Sequence, residues 1–306
     1  MSQCKPSAPR HRLIITADDF GYSAERDGGI IECFLDGAVT GVVLLVNGEA
    51  AEQACAIARK HGIPVGLHLN LTEGYPVYKN EHTSLINSDG FLRGKFGFRE
   101  ALQDGKIDLC DVKKEIKAQI ECFQTLMETQ PTHADGHQHV QVLPGVREVF
   151  AKTLAKYGIK RTRMPIQHGL KNSNWVPKLH MDFFQQFEQQ AEEAKMVFQK
   201  YNIRYPDGFF GTSTMGSHMT IGHLEQALTA AENKLYGDTT TSPLTFELMT
   251  HPGCCTSPGH GGCGGGPDDF SQSKDREYEM SVLRSSDWKK VIATHNMDLG
   301  SYKDVK

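Results

Sequence analysis

Short apolar runs alternate with longer amphipathic stretches along the chain. The run at 13–17 predicts a buried strand, because consecutive apolar and β-branched residues before a turn are typical of a strand covered on both faces. The stretch 23–36 follows with its apolar residues on one helical face. The alternation continues with predicted strands at 39–46, 65–71, 132–135 and 159–164, and predicted helices at 49–61, 112–127 and 146–157.

The second half of the chain repeats this pattern less regularly. Helices are predicted at 183–201 and 275–283, and candidate strands at 209–211 and 245–249. Strands that alternate with helices favour βαβ units and a parallel sheet. Repeated alternation without a clear linker predicts an α/β fold, namely a single-domain (β/α) barrel, regular or distorted. An open doubly wound sheet is the alternative, although no Gly-x-Gly-x-x-Gly fingerprint follows the first strand.

Two irregular stretches and two polar ends complete the predicted organisation. Residues 75–105 are expected to form a long excursion over one rim, and the Gly/Cys-rich stretch at about 254–269 a mobile loop. We assign 12–295 to the barrel, 1–11 to a flexible N-terminal tail and 296–306 to a C-terminal tail.

Charge and hydropathy argue against two classes of partner. The 306 residues include 33 Lys+Arg and 37 Asp+Glu, a formal net charge of −4, without a long basic run, so we expect no nucleic-acid partner. The longest clean apolar run, 42–46, is far shorter than the ~20 residues that cross a membrane. The polar, basic N-terminus does not resemble a secretory signal. We therefore expect a cytoplasmic, non-secreted protein with eight thiols, nuclear entry and oligomeric state remaining open.

Candidate catalytic groups follow three of the predicted strands. Asp18 and Asp19 end the first strand, His68 lies in the third, and His137 and His139 follow the fourth. Parallel barrels build their active sites at the carboxyl ends of the strands. Each group also has a structural explanation, since aspartate caps helices and a lone histidine is often a hydrogen-bonded filler. Together, one aspartate and two histidines are the ligand set of an open, catalytic metal site.

The spacing sets conditions on this site. Adjacent strand residues point to opposite faces, so Asp18 and Asp19 serve one site only where the backbone leaves the strand. Gly21 permits that departure, because glycine tolerates turn geometry. His137 and His139 share a face if the chain there is extended.

Ligand chemistry leaves the metal open. Nitrogen ligands suit zinc, cobalt or iron better than magnesium. A set of two histidines and one carboxylate also suits Fe(II) oxygen chemistry, but a second aspartate placed to act as a base favours hydrolysis. A structural zinc site in the Gly/Cys-rich stretch is a separate alternative, with these candidate ligands: His251, Cys254, Cys255, His260 and Cys263.

Several segments resemble the motifs of one enzyme family. Residues 16–21 (TADDFG) resemble the opening motif of the YdjC-like carbohydrate deacetylases, and 66–69 (GLHL) resemble the second. Residues 132–140 (THADGHQHV) and 247–253 (ELMTHPG) resemble two later motifs, and 161–163 (RTR) match an arginine-bearing strand. The segments follow one another in the family's order over nearly the whole chain.

The resemblance implies a fold, a reaction and a cofactor. It implies a barrel of the polysaccharide-deacetylase kind that hydrolyses N-acetyl groups of sugars or oligosaccharides with one divalent metal ion. The resemblance suggests Mg²⁺, and the nitrogen ligands suggest Zn²⁺. Carried over by residue, metal binding falls to Asp19, His68 and His137, and the role of general base to Asp18. His251 becomes an acid near the substrate, for which we expect a pKa near the working pH.

Other residues are expected to contact the substrate or to support these groups. Arg163 either fixes Asp18 by a bidentate contact or meets a sugar hydroxyl, with an ordinary ion pair as the structural alternative. Asp135, His139 and Asn70 are further candidates. The alternative functions are a metal-dependent hydrolase of another acylated substrate and a non-catalytic metal-binding partner protein.

Overall fold

The computed structural model of the protein describes residues 10–80, 82–236 and 242–306. Most of the predicted N-terminal tail lies outside the described residues, and the first strand begins at His11. The chain has the predicted α/β architecture, in which helices surround a parallel sheet that curls into a half-barrel.

The sheet places the carboxyl ends of its strands at one edge. The described strands are β1 (His11–Phe20), β2 (Gly41–Leu44), β3 (Val65–Leu69), β4 (Ala134–Gly136), β5 (Gly208–Phe210), β6 (Thr245–Thr250) and β7 (Met297–Leu299). Their order is β4-β3-β2-β1-β6-β5, and β7 pairs with the amino-terminal part of β1. The pairings between these strands are parallel. Residues that follow the strands therefore meet at that edge, as the sequence predicted.

The helices cover the sheet with apolar stripes. The described helices are α1 (Ala24–Leu35), α2 (Ala51–His61), α3 (Lys95–Gln103), α4 (Leu109–Met127), α5 (Val146–Lys156), α6 (Lys178–Lys200), α7 (Ile221–Leu235), α8 (Asp269–Gln272), α9 (Asp275–Arg284) and α10 (Ser286–Thr294). In α4, Val112, Ile116 and Ile120 are fully buried, as the 3.6-residue period predicts. Across the described ranges, no helix combines the length and apolarity that a membrane crossing needs.

The segment after β3 is more regular than we predicted. The excursion at 75–105 includes α3, which begins directly after Gly94. Phe98 of this helix is fully buried, and Lys95 in its first turn lines the cavity described below. The excursion therefore contributes to the rim of the site.

The prediction of a strand at 159–164 is wrong. This segment forms an isolated bridge at Arg161, and Thr162 N donates to the backbone of the segment before β5 (2.9 Å). Pro165 offers no N–H to a ladder, so regular pairing cannot continue. The segment nevertheless connects the two edges of the curled sheet, and it places Arg163 fully buried between them.

The C-terminal tail predicted at 296–306 is also wrong. This segment contains β7, and beyond it Tyr302 and Val305 pack against Ile14 at the amino ends of the strands. Their exposed fractions are 4% and 1%. Tyr302 and Val305 stand among polar residues and form no helical or strand period, so the hydrophobic pattern did not predict their burial.

The Gly/Cys-rich stretch is irregular, as predicted, but part of it is anchored. Gly262 N donates to Tyr22 O (3.0 Å), and Cys263 O accepts from Tyr75 N (2.9 Å). Cys263 is 2% exposed. Gly262 has a φ of 96°, a conformation that lets the chain fold back onto the loops after β1 and β3. This buried part of the predicted mobile loop is therefore held to the loops after β1 and β3 by backbone hydrogen bonds.

Candidate active site

A cavity of about 610 Å³ lies at the carboxyl ends of the strands. Its lining combines ionisable side chains with aromatic side chains from α6. Two aspartates and three histidines that the sequence placed in one site all line it: Asp18, Asp19, His68, His137 and His251.

The end of β1 presents both aspartates to this cavity. Asp19 has a φ of 62°, in the left-handed region, and this turn interrupts the alternation of the strand. Gly21 follows with a φ of 89°, where a Cβ would lie 2.9 Å from Leu44 Cδ1. The helix-capping alternative for the aspartates is wrong, because Ser23 caps α1 with its side-chain oxygen.

His68, in β3, is held by a buried carboxylate. Its Nδ1 lies 2.6 Å from Asp135 Oδ1, and its Nε2 lies 3.4 Å from Asp19 Oδ1. When the imidazole is neutral, the bond to Asp135 keeps the proton on Nδ1 and leaves the Nε2 lone pair facing Asp19. Burial lowers the pKa of His68, but Asp135 and Asp18 outweigh burial and raise it to about 10.

His137, directly after β4, approaches the same oxygen. Its Nδ1 lies 3.1 Å from Asp19 Oδ1, and its Nε2 lies 3.0 Å from Glu73 Oε2. Burial lowers the pKa of His137, but Asp19 and Glu73 outweigh burial and raise it to about 9. Each of the two imidazoles thus has one nitrogen on a supporting carboxylate and the other directed at Asp19.

The chain kinks directly after His137. Gln138 and His139 have φ values of 55° and 60°, so His137 and His139 do not share the face that an extended chain would give them. The extended chain on which that expectation depended is not formed. His139 packs on Phe187 with 4.5 Å between ring centroids, and its Nδ1 has no hydrogen-bond partner among the described residues. Burial holds the pKa of His139 well below its ordinary value.

Asp19 has one carboxylate oxygen held by arginines and one left open. Oδ2 lies 3.4 Å from both Arg26 Nη1 and Arg276 Nη2. Oδ1 is buried and accepts no hydrogen bond from the described residues, although both imidazoles face it. Burial opposes ionisation, but His137 and His68 hold the pKa of Asp19 well below its ordinary value. An anionic oxygen beside two imidazole nitrogens fits a divalent metal ion.

Asp18 is held by a buried guanidinium. Arg163 Nη1 and Nη2 lie 2.6 Å and 2.7 Å from its two carboxylate oxygens, a bidentate contact. Burial raises the pKa of Asp18 to about 6, against the opposing effect of Arg163. Arg163 is fully buried, so it fixes Asp18 and does not reach the cavity as a sugar contact would require.

A second group of possible ligands is less suited to a metal. Asp18, His68 and Asp135 also bring their donor atoms close together. Arg163 Nη1, however, lies 2.6 Å from Asp18 and 3.0 Å from Asp135, so both carboxylates already face a cation. The group around Asp19 is therefore the better candidate metal site.

His251 follows β6 and borders Asp18. Its Nε2 lies 3.9 Å from Asp18 Oδ2, and its backbone N donates to Glu279 Oε2 (2.6 Å). Burial and the Arg276 guanidinium hold the pKa of His251 well below its ordinary value. Burial therefore shifts the pKa of His251 away from the working pH that we expected it to match.

Asn70 shapes a loop of the site and does not line the cavity. Its Oδ1 accepts from Thr72 N (3.0 Å) and Glu73 N (2.9 Å). Its Nδ2 donates to Glu73 O (2.9 Å). Asn70 therefore fixes the loop that carries Glu73.

The zinc site considered for the Gly/Cys-rich stretch does not form. Among the described residues, the side chains that converge as possible ligands are the two groups around Asp19 and Asp18. Cys263 instead lies 3.5 Å from Asn70 Nδ2, and Cys255 Sγ lies 3.1 Å from Ser273 O.

Comparison with known sequences identifies the family. The sequence model of a family described as YdjC-like protein matches residues 12–294. The chain belongs to the YdjC-like family. A carbohydrate deacetylase from Homo sapiens is 46% identical over 302 residues, covering 98% of this chain and 92% of its own. A chitooligosaccharide deacetylase from Serratia marcescens is 39% identical over 297 residues, covering 96% of this chain and 98% of its own.

A solved structure shares the fold of this YdjC-like chain. It is that of a candidate cellobiose-phosphate cleavage protein from Enterococcus faecalis, with a TM-score of 0.70 and 23% identity. The match covers 96% of this chain and 98% of that one. At this identity the likeness concerns the fold.

Some residues of the YdjC-like site were missed by sequence reasoning. Glu73 stands three positions after Asn70 in a loop, and only its place just beyond a predicted strand was a signal. Arg26 and Arg276 lie within helices, where a charged residue ordinarily indicates a solvated face, yet they are 0% and 1% exposed. The aromatic side chains of α6 that line the cavity, Phe183, Phe184 and Phe187, were predicted only as part of an amphipathic helix.

Proposed function

We propose that this chain is a metal-dependent carbohydrate N-deacetylase, which hydrolyses the N-acetyl groups of sugars or oligosaccharides. The observation that carries the proposal is the convergence of Asp19 Oδ1, His68 Nε2 and His137 Nδ1 beside a second carboxylate, Asp18, in one cavity. The names of the Homo sapiens and Serratia marcescens relatives support the substrate class.

Asp19, His68 and His137 are the residues that would hold one divalent ion. Such an ion, when bound, polarises the acetamide carbonyl and lowers the pKa of water. The two nitrogen donors favour zinc, and the resemblance noted above retains magnesium as the other candidate. Arg26 and Arg276 hold the remaining oxygen of Asp19, which leaves Oδ1 as its metal-facing atom.

Asp18 is the proposed general base. Its carboxylate borders the ligand cluster, since Oδ2 lies 3.9 Å from His68 Nε2. The bidentate contact with Arg163 fixes its orientation, and a pKa of about 6 leaves most of the carboxylate ionised at neutral pH. Asp18 can therefore take a proton from the water that attacks the carbonyl carbon.

The leaving amine needs the proton that Asp18 takes from water. Attack forms a carbon–oxygen bond, and cleavage of the carbon–nitrogen bond releases acetate and the free amine of the sugar. We propose that His251 relays the proton from Asp18 to the departing nitrogen. Its Nε2 lies 3.9 Å from Asp18 Oδ2, so the transfer requires these two atoms to move within hydrogen-bond distance when substrate binds. Glu279 holds the backbone of His251 for this task.

The proposed compartment is the cytoplasm. The seven cysteines of the described ranges support it, because all are free thiols.

The decisive experiment measures acetate release. Purified chain loaded with zinc, magnesium or cobalt is incubated with N-acetylglucosamine and di-N-acetylchitobiose, with Asp18→Asn as the matched variant. We expect metal-dependent acetate that falls by at least about 10²-fold in Asp18→Asn, while that variant still binds metal. Activity that survives chelation would contradict the metal's role. Bound metal without acetate would favour another acylated substrate or a binding role.

A further inference from the structure

The segment after α10 lies at the end of the sheet opposite to the site. β7 pairs with residues 11–13 of β1, at the amino ends of the strands. Tyr302 follows and packs against Ile14 inside the curl, with Val305 beside it. The cavity lies at the opposite, carboxyl ends.

Tyr302 is held in place through both its ring and its hydroxyl. It stacks on the His133 imidazole, with 3.4 Å between centroids and 7° between planes. Its hydroxyl donates to Glu247 Oε2 at 2.7 Å. Burial and Glu247 raise the pKa of Tyr302 well above its ordinary value, so the hydroxyl remains a donor.

The two carboxylate oxygens of Glu247 accept hydrogen bonds from different partners. Oε2 is taken by Tyr302. Oε1 accepts from Thr16 Oγ1 (2.9 Å) and from Arg163 Nε and Nη2 (3.1 Å and 3.0 Å). Glu247 is fully buried, and the Tyr302 hydroxyl is the donor that the structure shows on Oε2 while Thr16 and Arg163 share Oε1.

Arg163 connects Glu247 to Asp18, the proposed base. One guanidinium faces Glu247 and holds Asp18 by two bonds of 2.6 Å and 2.7 Å. If the Tyr302 hydroxyl is removed, Glu247 Oε2 is left buried without a donor. Glu247 then gains by turning this oxygen to Arg163, which draws the guanidinium away from Asp18.

We propose that Tyr302 is a positioning residue of the deacetylation reaction: through Glu247 and Arg163 it holds Asp18 in the orientation that accepts the proton of water. The inference rests on the proposed function. It extends that function to a residue at the opposite end of the sheet that contacts neither substrate nor metal.

The test compares Tyr302→Phe with Val305→Ala in the full chain loaded with metal. Phenylalanine keeps the stack on His133 and removes only the hydroxyl. Val305→Ala removes packing beside Tyr302 but no hydrogen-bonding group of the network. We expect Tyr302→Phe to lower kcat about tenfold with KM within about twofold, and Val305→Ala to leave kcat unchanged when both are fully folded.

Two further readouts separate positioning from a structural role. In a Glu247→Gln background, Tyr302→Phe is expected to lower kcat no further, because the two changes interrupt one network. The nuclear magnetic resonance signal of the Arg163 Nε–H, identified by its loss in Arg163→Lys, is expected to shift in Tyr302→Phe and not in Val305→Ala.

The possible outcomes are distinct. Unchanged kcat in Tyr302→Phe, an equal loss in Val305→Ala, or additive losses with Glu247→Gln would each overturn the inference while acetate release by the unmodified chain upholds the proposed function. No acetate release by the unmodified chain would overturn both.

Discussion

Two halves of the site share the end of β1 but differ in how their charges are satisfied. In the histidine half (Asp19, His68 and His137), the carboxylate oxygen that the imidazoles face accepts no hydrogen bond from the described residues. In the arginine half (Asp18, Arg163, Glu247 and Tyr302), both oxygens of Asp18 and both of Glu247 are paired. The histidine half is arranged to receive a cation, and the arginine half to hold a base in place.

Loss of one ligand should break the histidine half alone. We expect His68→Ala to bind metal far more weakly and to release acetate at least about 10³-fold more slowly, since two protein ligands remain. Isothermal titration calorimetry with zinc measures the binding, and circular dichroism checks the fold. Asp18→Asn is the matched change in the arginine half and should keep its metal. Equal metal loss in both variants would contradict the division into halves.

The pH should act on the histidine half in a predictable direction. The carboxylates raise the pKa of His68 to about 10 and that of His137 to about 9. In the metal-free protein both imidazoles are therefore cationic below about pH 9. A metal must displace them, so affinity falls as pH falls, by about 100-fold between pH 8 and pH 6 for each proton displaced. Titrations in buffers of different ionisation enthalpy count the released protons. A pH-independent affinity would refute this expectation.

A smaller change should sharpen the comparison. Glu73→Gln removes the carboxylate that faces His137 Nε2 and keeps its shape. We expect about tenfold weaker metal binding, measured by competition with a chelator, because the ligand loses orientation and basicity. Glu49→Gln is the control, since Glu49 accepts a bond from Gly261 N in the neighbouring loop and not from a ligand. Similar losses in both variants would mean that loop structure, not His137, is responsible.

The two halves also differ in how far the sequence predicted them. Residue types near the ends of predicted strands indicated a metal site with an aspartate and two histidines, and the motif resemblance selected Asp19, His68 and His137 as its ligands. The arginine half depends on contacts between distant residues that indicate nothing individually. Arg163 was named through the motif resemblance, whereas the bond from Tyr302 to Glu247 had no signal at all.

Failures of the fold prediction have related causes. Helix and strand patterns predicted most of the helices and strands along the chain because burial imposes periods of 3.6 and 2. The segment 159–164 fails because Pro165 and two buried or bridging arginines make it irregular. The extended chain considered at His137 and His139 is not formed, because Gln138 and His139 are both left-handed, and no glycine in the sequence marks these two positions.

The pairing of β1 has a consequence for the newly made chain. Thr16 in β1 and its hydrogen-bonding partner Glu247 in β6 are 231 residues apart, and β7 follows later still. At roughly 5–20 residues per second of synthesis, the strand that carries both aspartates waits on the order of 10–50 seconds for these neighbours. During that interval its edge offers unpaired backbone groups to any other extended chain. The side of β1 that later pairs with β6 is thus exposed to aggregation for longer than the side that pairs with β2.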